Sequence, residues 1–451
     1  MQYPTISEYV KASQDASDNL DMSTEATNAE LNEAIIDEFG VKYSKDGRKL
    51  LKAPQELDRT YSIRKGTKIV CDMAFAYCKS LRNVVIPDSV TSIGGGAFNE
   101  CDSLRSVVIS DGVTSIGERA FAFSSLSTLV IPDGVTNIDN SAFWGCESLT
   151  DIVIPNSVTS IGDGAFWGCT SLSSLVIPDS VTSIGNEAFA GCRSLSTLVI
   201  PDGVTSIGDL AFCDCSSLKS LVLPDSVVNL KGNPFCRWNG ELKCLSPYFI
   251  YDNNKVLFDK DKSKIIAFRD KDTTSYIIPD YVTSIGDSAF EDCSSLNDII
   301  IPDSVTSIGD GAFEDCSSLS SVVLPDSVTS IGNRAFNECD SLRSVVISDG
   351  VTSIGDGAFQ FCSSLNDIII PDSVTSIGIY AFGECSSLSS LVIPDSVTSI
   401  GDWAFYYCDA LRSVVIPDGV TSIGVGAFAG CYLPNTLRQK LSSRFGEKIF
   451  G

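Results

Sequence analysis

Histidine is absent from all 451 residues of the chain. Without imidazole, Ser–His and Cys–His activation of a nucleophile and every imidazole-ligated metal site are excluded. Long apolar runs are absent as well, so the sequence predicts no membrane-spanning helix. Positive charge is scarce, with 32 Lys and Arg against 57 Asp and Glu and a net charge of −25. Such a surface repels phosphate backbones, and we therefore expect no nucleic-acid partner.

The chain is built instead from one unit of 23 residues, which recurs from Leu81 to Cys431. The copy Leu296–Ser318 reads LNDIIIPDSVTSIGDGAFEDCSS, and we number positions from its leucine. Copies at one fixed period predict a solenoid, in which stacked coils bury a core that one copy cannot bury alone. Position 18 is a phenylalanine in every copy, spaced by 23 residues except for one step of 22 and one long gap: Phe75, Phe98, Phe121, Phe143, Phe166, Phe189, Phe212, Phe235, Phe290, Phe313, Phe336, Phe359, Phe382, Phe405 and Phe428.

The first six positions of a copy predict a short strand. Leu296, Ile299 and Ile301 alternate with Ile300, so one side of the strand faces the core and the other faces outward. Pro302 then ends the strand because it has no N–H to donate. The Pro-Asp-Ser or Pro-Asp-Gly sequence that follows is typical of a turn.

Repeats of the form IPDSVTSIGDGAFEDCSSL resemble the BspA-like (Treponema pallidum-type) leucine-rich repeat family over roughly residues 61–432. The resemblance implies an α/β-type solenoid dominated by short β-strands, a right-handed coil with β-hairpin caps and short terminal helices. The family includes bacterial and protist surface proteins, some of them adhesins, which implies binding and names no ligand. Position 9 is Ser or Gly here, where the commoner leucine-rich repeat has Asn or Cys. We therefore expect Pro and Asp to close the turn in place of an asparagine ladder.

Two hairpins are predicted to divide the chain. Asp46–Gly47 between two short runs is a strong hairpin signal, and the same element recurs at Val256. The predicted segments are an acidic helical segment or arm (1–40), a hairpin cap with the first coil (41–75), a first array (76–236), an insert with the second hairpin (237–275), a second array (276–432) and a C-terminal capping helix (433–451).

The termini and the insert leave alternatives open. Ser7–Val10 and Asn28–Phe39 are predicted to be helical, as a cap or as a mobile arm. The insert is either a structural joint or a functional insertion. The last helix, with Asn435 as its N-cap, is predicted to close the last coil through one apolar face, and a membrane-surface helix is the alternative. That face consists of Leu437, Leu441 and Phe445.

Of the 17 cysteines, 13 recur at position 21. One cysteine per coil at fixed phase indicates buried thiols that act as small apolar groups. Neighbouring coils are close enough for disulfides, but parallel side-chain directions disfavour them, and a thiol ladder suits a reducing compartment. We expect the more reactive cysteines to be those outside the ladder: Cys71, Cys213, Cys236 and Cys244.

Position 5 supplies a column of β-branched residues on the outward side of the predicted strands. A long exposed apolar stripe suggests a protein partner, whereas preference for strand geometry alone would also explain it. The candidate binding face is Val85, Val108, Val130, Val153, Val176, Val199, Val222, Ile300, Val323, Val346, Ile369, Val392 and Val415.

Two further columns are candidates for a site. Positions 15, 16, 19 and 20 differ between copies and carry aromatic residues, which are typical interface anchors, although drift on a solvated surface is the alternative. Position 8 is an aspartate in most copies, for which we expect capping of its own turn, with Ca²⁺ binding between coils as the alternative. The candidate aromatic anchors are Trp144, Trp167, Trp403 and Tyr406, with Phe123, Phe361, Tyr380 and Tyr407 in the same columns.

These features predict a non-enzymatic solenoid that binds a protein. One expectation is a surface adhesin-like protein that binds host or matrix proteins, and the other is an intracellular scaffold. No cofactor and no metal are expected, and an enzyme would need a site built only from carboxylates in residues 237–275. The first 21 residues have neither the basic nor the apolar region of a secretion signal. We therefore expect a cytoplasmic protein as the sequence is written, or a cell-surface protein if a leader has been removed.

Overall fold

The computed structural model describes residues 23–451, and the chain divides into two compact units, Met1–Ser180 and Val181–Gly451. The predicted helix at residues 7–10 lies outside the described residues. In both units the chain winds as a β-solenoid whose coils follow the 23-residue repeat, which confirms the predicted fold. Each coil carries one long strand of three or four residues and one short strand of two, although some coils lack the long strand.

In the first unit the long strands pair in parallel with aligned repeat positions, for example Val85 with Val108 and Val130 with Val153. They form one three-stranded and one two-stranded sheet. The long strands are Thr60–Ser62, Asn83–Ile86, Ser106–Ile109, Thr128–Val130 and Asp151–Val153.

The short strands of the first unit begin after an antiparallel element. Ile35–Ile36 pairs with Lys42–Tyr43, which pairs with Lys49–Lys52 across the predicted hairpin. Lys49–Lys52 then pairs in parallel with the first short strand. The short strands are Ile69–Val70, Ser92–Ile93, Ser115–Ile116, Asn137–Ile138 and Ser160–Ile161.

The second unit repeats both kinds of strand. Its long strands form sheets of two or three strands. They are Ser220–Leu223, Glu241–Cys244, Ser275–Ile277, Asp298–Ile300, Ser321–Val323, Ser344–Val346, Asp367–Ile369, Ser390–Val392 and Ser413–Val415.

The short strands of the second unit include a ten-stranded sheet that starts at the second predicted hairpin. Phe249–Tyr251, Val256–Asp259 and Lys264–Phe268 are antiparallel, and the last of them pairs in parallel with Ser284–Ile285. The other short strands are Ser183–Ile184, Ser206–Ile207, Asn229–Leu230, Ser307–Ile308, Ser330–Ile331, Ser353–Ile354, Ser376–Ile377, Ser399–Ile400 and Ser422–Ile423.

The N-terminal helix is shorter than predicted. It covers Asn28–Asn32, and Thr27 forms a capping box with Glu30, whose carboxylate accepts from the Thr27 N–H. The prediction of helix through Phe39 was wrong because Ile35–Ile36 pairs as a strand instead. Two adjacent β-branched residues favour that extended conformation.

The core of each unit is a stack of the position-18 rings. Phe98 and Phe121 lie 5.2 Å apart between centroids in the first unit, and Phe313 and Phe336 lie 5.1 Å apart in the second, with the rings nearly parallel in both pairs. Position 21 fills the space beside them: the Cys101 thiol donates to the Phe75 carbonyl at 3.1 Å. The thiols therefore serve as compact apolar groups that also satisfy a buried carbonyl.

Side chains also form hydrogen bonds from coil to coil, and those of position 15 form a ladder. At position 15, Asp310 Oδ1 accepts from the Asn333 N–H at 2.7 Å, and Asn333 Oδ1 accepts from the Asp356 N–H at 2.8 Å. The same bond runs from Asp72 to Gly95 in the first unit. The solenoid therefore has an Asn/Asp ladder at position 15, which the sequence analysis did not predict.

The insert contributes to the core of the second unit. Trp238 is buried, and its indole N–H donates to the Leu218 carbonyl at 2.6 Å. The buried Arg269 guanidinium lies 4.3 Å from the centroid of the Trp238 ring and donates to the Trp238 and Gly240 carbonyls. These contacts favour the joint over the functional insertion.

The C-terminal helix covers Asn435–Phe445 and packs Leu441 into the core. Pro434 is the N-cap residue, so the prediction of Asn435 as N-cap was wrong by one residue. Arg444 donates to the carbonyls of Pro417, Asp418 and Val420, which ties the helix to the last coil. None of the helices within residues 23–451 has the length and apolarity that crossing a membrane requires.

Candidate functional site

The long strands place the position-5 column outward in the first unit. Strand alternation buries the position-4 and position-6 neighbours, such as Val84 and Ile86, and leaves Val85 between them exposed. We call this exposed side the strand face. Its exposed fractions run from 38% at Val85 to 80% at Val176, with Val108, Val130 and Val153 between them.

The second unit has a strand face of its own. Ile277 is 67% exposed and belongs to this column, although the sequence analysis did not include it; its place four residues before Tyr281, at position 5 of a degenerate copy, was the available signal. Aligned pairs such as Val323 with Val346 bring the side chains of neighbouring coils together. The predicted members Val199, Val222, Ile300, Val323, Val346, Ile369, Val392 and Val415 are all exposed.

The aspartates of position 8 lie exposed at the end of the strand face. Their turns are closed by the backbone, as where the Val305 N–H donates to the Pro302 carbonyl at 3.0 Å. Within residues 23–451 no hydrogen bond of the turn to an Asp303 carboxylate is formed, so the expected capping role was wrong. The described part of the chain also contains no group of three or more acidic or cysteine side chains that could hold a metal ion. The position-8 column therefore acts as a row of solvated negative charge.

Positions 15, 16, 19 and 20 form a second surface, which we call the flank, while positions 17 and 18 between them are buried. Positions 16 and 20 adopt a left-handed conformation from coil to coil, for example Arg119 with φ 55° and Phe123 with φ 55°. Such a conformation costs an L-residue roughly 1–2 kcal/mol, and only glycine adopts it freely. Bulky side chains at these positions therefore carry a conformational cost. Residues with such strained backbone cluster at functional sites.

In the first unit the structure brings the flank aromatics together. Trp144 stacks on Trp167 at 4.9 Å and contacts Phe123 at 4.8 Å between ring centroids. The Arg119 guanidinium lies 5.3 Å from the centroid of the Trp144 ring. Phe123 leans over Gly145, where an added Cβ would lie 2.6 Å from the ring.

In the second unit a separate aromatic cluster forms. Tyr406 contacts Trp403 edge-on at 5.3 Å and Tyr380 at 5.9 Å, and Trp403 stacks on Tyr380 at 6.2 Å. Trp403 leans over Gly426, just as Phe123 leans over its glycine. The four predicted anchors thus fall into two clusters, one in each unit.

The flank of the second unit also holds a carboxylate cluster. Burial raises the pKa of Glu314 to about 7, against the opposing effect of the Arg334 guanidinium. Glu291 and Asp315 add negative charge beside it. Burial likewise raises the pKa of Asp209 to about 6.

The cysteines outside the ladder are not equally accessible. Cys213 and Cys244 are half-buried, but Cys71 and Cys236 are fully buried, so the expectation of reactivity was wrong for the latter two. Within the ladder, burial raises the pKa of Cys146 to about 11.

Cys293 differs from the other ladder thiols. Burial acts to raise its pKa, but the hydrogen bond with Cys316 and the Lys271 ammonium, 3.6 Å from its Sγ, lower the pKa overall.

This combination of parallel two-strand coils, a phenylalanine stack and an outward β-branched column defines a leucine-rich β-solenoid. The model of the BspA type leucine rich repeat region matches residues 68–196, 136–245, 264–386 and 329–451. The chain belongs to this family, as the sequence analysis predicted. Members of such repeat families are typically not enzymes, and the family is consistent with a role in protein interaction.

Two solved structures illustrate the similarity. A leucine rich cell surface protein from Faecalibacterium prausnitzii is 29% identical, with 84% of this chain and 92% of that chain covered and a TM-score of 0.53. A leucine-rich repeat protein from Eubacterium ventriosum is 24% identical, with 89% and 95% covered and a TM-score of 0.51, and it shows the fold alone. No curated protein matches the chain.

Proposed function

We propose that the protein is a non-enzymatic binding protein that engages a protein partner through the strand face. The exposed β-branched column carries this proposal. Solvent-exposed apolar side chains aligned coil after coil are costly to leave in water, and contiguous apolar patches mark sites of protein interaction. The exposed aspartates beside them supply the polar rim that such interfaces have.

We propose further that the partner is extracellular and that the protein acts in adhesion. The similar F. prausnitzii structure is that of a cell surface protein, which supports an exposed location for this chain. Within each unit the repeated face offers many equivalent contacts, so weak coil-by-coil contacts sum to useful affinity.

The test begins with location. Intact cells of the native organism are treated with a protease, and the protein is then quantified with an antibody against residues 276–432. Loss of the protein before lysis supports the adhesion role, and the purified full-length chain is then screened against arrayed host and matrix proteins. Survival of the protein until lysis overturns it.

An intracellular scaffold is the second candidate, and the thiols favour it. Thirteen buried cysteines at one repeat position, none of them in a disulfide, suit a reducing compartment. In that case protease treatment of intact cells leaves the protein uncleaved, and the strand face binds a cytoplasmic protein.

A further inference from the structure

A cleft of about 460 Å³ opens on the flank of the first unit, away from the strand face. Met73, Tyr77 and Phe123 line it and are each exposed by 38–42%. Carboxylates line it too, contributed by Asp72, Glu100 and Glu118. Aromatic faces combined with carboxylates are the chemistry that recognises an organic cation.

The repeat aligns three of these side chains in one column. Tyr77, Glu100 and Phe123 occupy position 20 in consecutive coils, and each has a left-handed backbone with φ between 54° and 65°. Bonds between coils hold this alignment, since the Tyr77 N–H donates to the Asn99 carbonyl and the Glu100 N–H to the Ala122 carbonyl. Two coil spacings of ~4.8 Å separate the backbones of the two aromatic residues, and Glu100 lies between them.

The neighbouring side chains leave the space above Glu100 unfilled, and the charge of its carboxylate is not neutralised. Phe123 leans over Gly145, away from the Glu100 coil, and Met73 leans over Gly96, where a Cβ would lie 2.5 Å from its sulfur. Within residues 23–451 the Glu100 carboxylate has no ion pair and no hydrogen-bond partner, although it is half-buried. Asp72, by contrast, already accepts from the Gly95 N–H at 2.7 Å.

Arg119 in the wall of the cleft pairs with Glu118 at 3.7 Å and places its guanidinium over Trp144, so Glu118 is already neutralised and Glu100 is not. The weakly hydrated planar guanidinium stacks on aromatic faces better than an ammonium does. The net charge of −25 attracts cationic partners in addition.

We infer that this cleft binds an arginine side chain of the protein partner, with the guanidinium paired to Glu100 and in contact with the aromatic side chains that line the cleft. The inference rests on the proposed protein-binding function and names a second contact on the partner. Because the cleft is separate from the position-5 column, a small arginine probe tests it without the strand face.

The full-length chain is labelled with ¹³C-methyl methionine, and the Met73 resonance is identified from a Met73→Leu variant. N-acetyl-arginine amide is titrated against its neutral isostere, N-acetyl-citrulline amide. We expect a saturable shift of the Met73 signal with the arginine probe, with an affinity in the millimolar range, about that of one exposed cation–π contact plus one ion pair. The citrulline probe should give no saturable shift.

Three variants decide the outcome. Glu100→Gln should weaken binding about tenfold, whereas Glu147→Gln, an exposed glutamate of the same unit, should leave it unchanged. Phe123→Gly removes the ring at a position where glycine is favoured, so the fold is kept while binding is lost. Equal response to citrulline, equal response to tetramethylammonium, or unchanged binding by Glu100→Gln would each overturn the inference. The strand-face variants separate this inference from the proposed function, because they should lose partner binding and keep the arginine response of the cleft.

Discussion

Glycine serves two different purposes within three residues of one coil. At Gly309 an added Cβ would lie 2.4 Å from Asp287 Oδ1 and 2.6 Å from the Asp287 backbone nitrogen, so close approach of the previous coil requires glycine. At Gly311 the nearest atoms are 3.2 Å away or more, and only the φ of 58° favours glycine.

We therefore expect Gly309→Ala to destabilise the protein far more than Gly311→Ala. The second change should cost roughly 1–2 kcal/mol, the penalty of the left-handed conformation for an L-residue. Urea unfolding of both variants measures the difference. Equal destabilisation would show that close approach of the previous coil is not the reason for glycine at position 14, which Gly309 occupies.

Accessibility of the thiols gives a second test at the residue scale. On treatment of the folded protein with iodoacetamide at pH 8, Cys213 and Cys244 should be labelled first because they are half-buried. Ladder thiols such as Cys339, which is fully buried and whose pKa is raised by burial, should react only after unfolding. Peptide mass spectrometry resolves the sites, and early labelling of Cys339 would contradict the packing of the ladder.

Several residue choices were predictable from the sequence only as patterns. The repeat showed Ser or Gly at position 9 but not the reason. The Ser304 hydroxyl donates to the Val282 carbonyl at 2.7 Å, whereas a Cβ at Gly350 would lie 2.0 Å from the Asp326 carbonyl oxygen. Both contacts lie between coils 22–24 residues apart, and pattern within one copy cannot reveal them.

At the scale of the element, the position-15 ladder is interrupted where the chain has no side-chain acceptor. Asp356 accepts from the Ile379 N–H at 2.7 Å. The Ile379 side chain has no acceptor for the Asp402 N–H of the next coil. Ile379→Asn should restore this bond and stabilise the protein by about 1 kcal/mol.

The midpoint of urea unfolding checks this prediction, with Ile379→Ala as the control that removes the side chain without adding an acceptor. A stability of the Asn variant no higher than that of the Ala variant would count against the ladder. The matched bond from Asn333 to Asp356 shows that the geometry is available to asparagine.

The elements differ in how well the sequence predicts them. Alternation over six positions predicted the long strands, and the Asp-Gly pair predicted the first hairpin, because both signals are local. The two-residue strands such as Ser307–Ile308 were not foreseen, since two residues show no alternation and their pairing exists only between coils. The strand Ile35–Ile36 was not foreseen either, because the apolar residues around it have helical spacing and its pairing with Lys42–Tyr43 is visible only in the structure.

At the scale of the whole molecule, the buried carboxylates make stability depend on pH. Because burial raises the pKa of Glu314 from 4.5 to about 7, the folded protein binds a proton there that the unfolded chain releases. Its contribution to stability is present below pH 4.5 and is lost as the pH rises to 7. The facing Glu291 and Asp315 add to this effect and Arg334 opposes it.

Wild-type protein should therefore lose more stability between pH 5 and pH 8 than Glu314→Gln does. Thermal unfolding of both proteins at matched ionic strength measures the difference. A parallel pH dependence for the two would show that Glu314 ionises at its ordinary pKa in the folded state.

The sequence predicted every member of the strand face except Ile277, because the exposure of position 5 follows from strand alternation. It did not predict the flank cleft. That site depends on left-handed backbone at Tyr77 and Phe123 and on side chains brought together from four coils. Neither feature is visible in a single copy of the repeat.

The measurement that tests the central claim most directly compares two doubly substituted proteins for binding to the partner found by the screen. Val346→Asp with Ile369→Asp places charge on the strand face of the second unit. Ile379→Asp with Val425→Asp places the same charge on two exposed β-branched residues at position 15, where aspartate is already used in other coils.

The account predicts that the strand-face protein loses binding by at least about tenfold, while the position-15 protein binds as wild type does. Circular dichroism confirms that both remain folded. Equal loss in the two proteins, or unchanged binding by the strand-face protein, would contradict the assignment of the strand face as the binding surface.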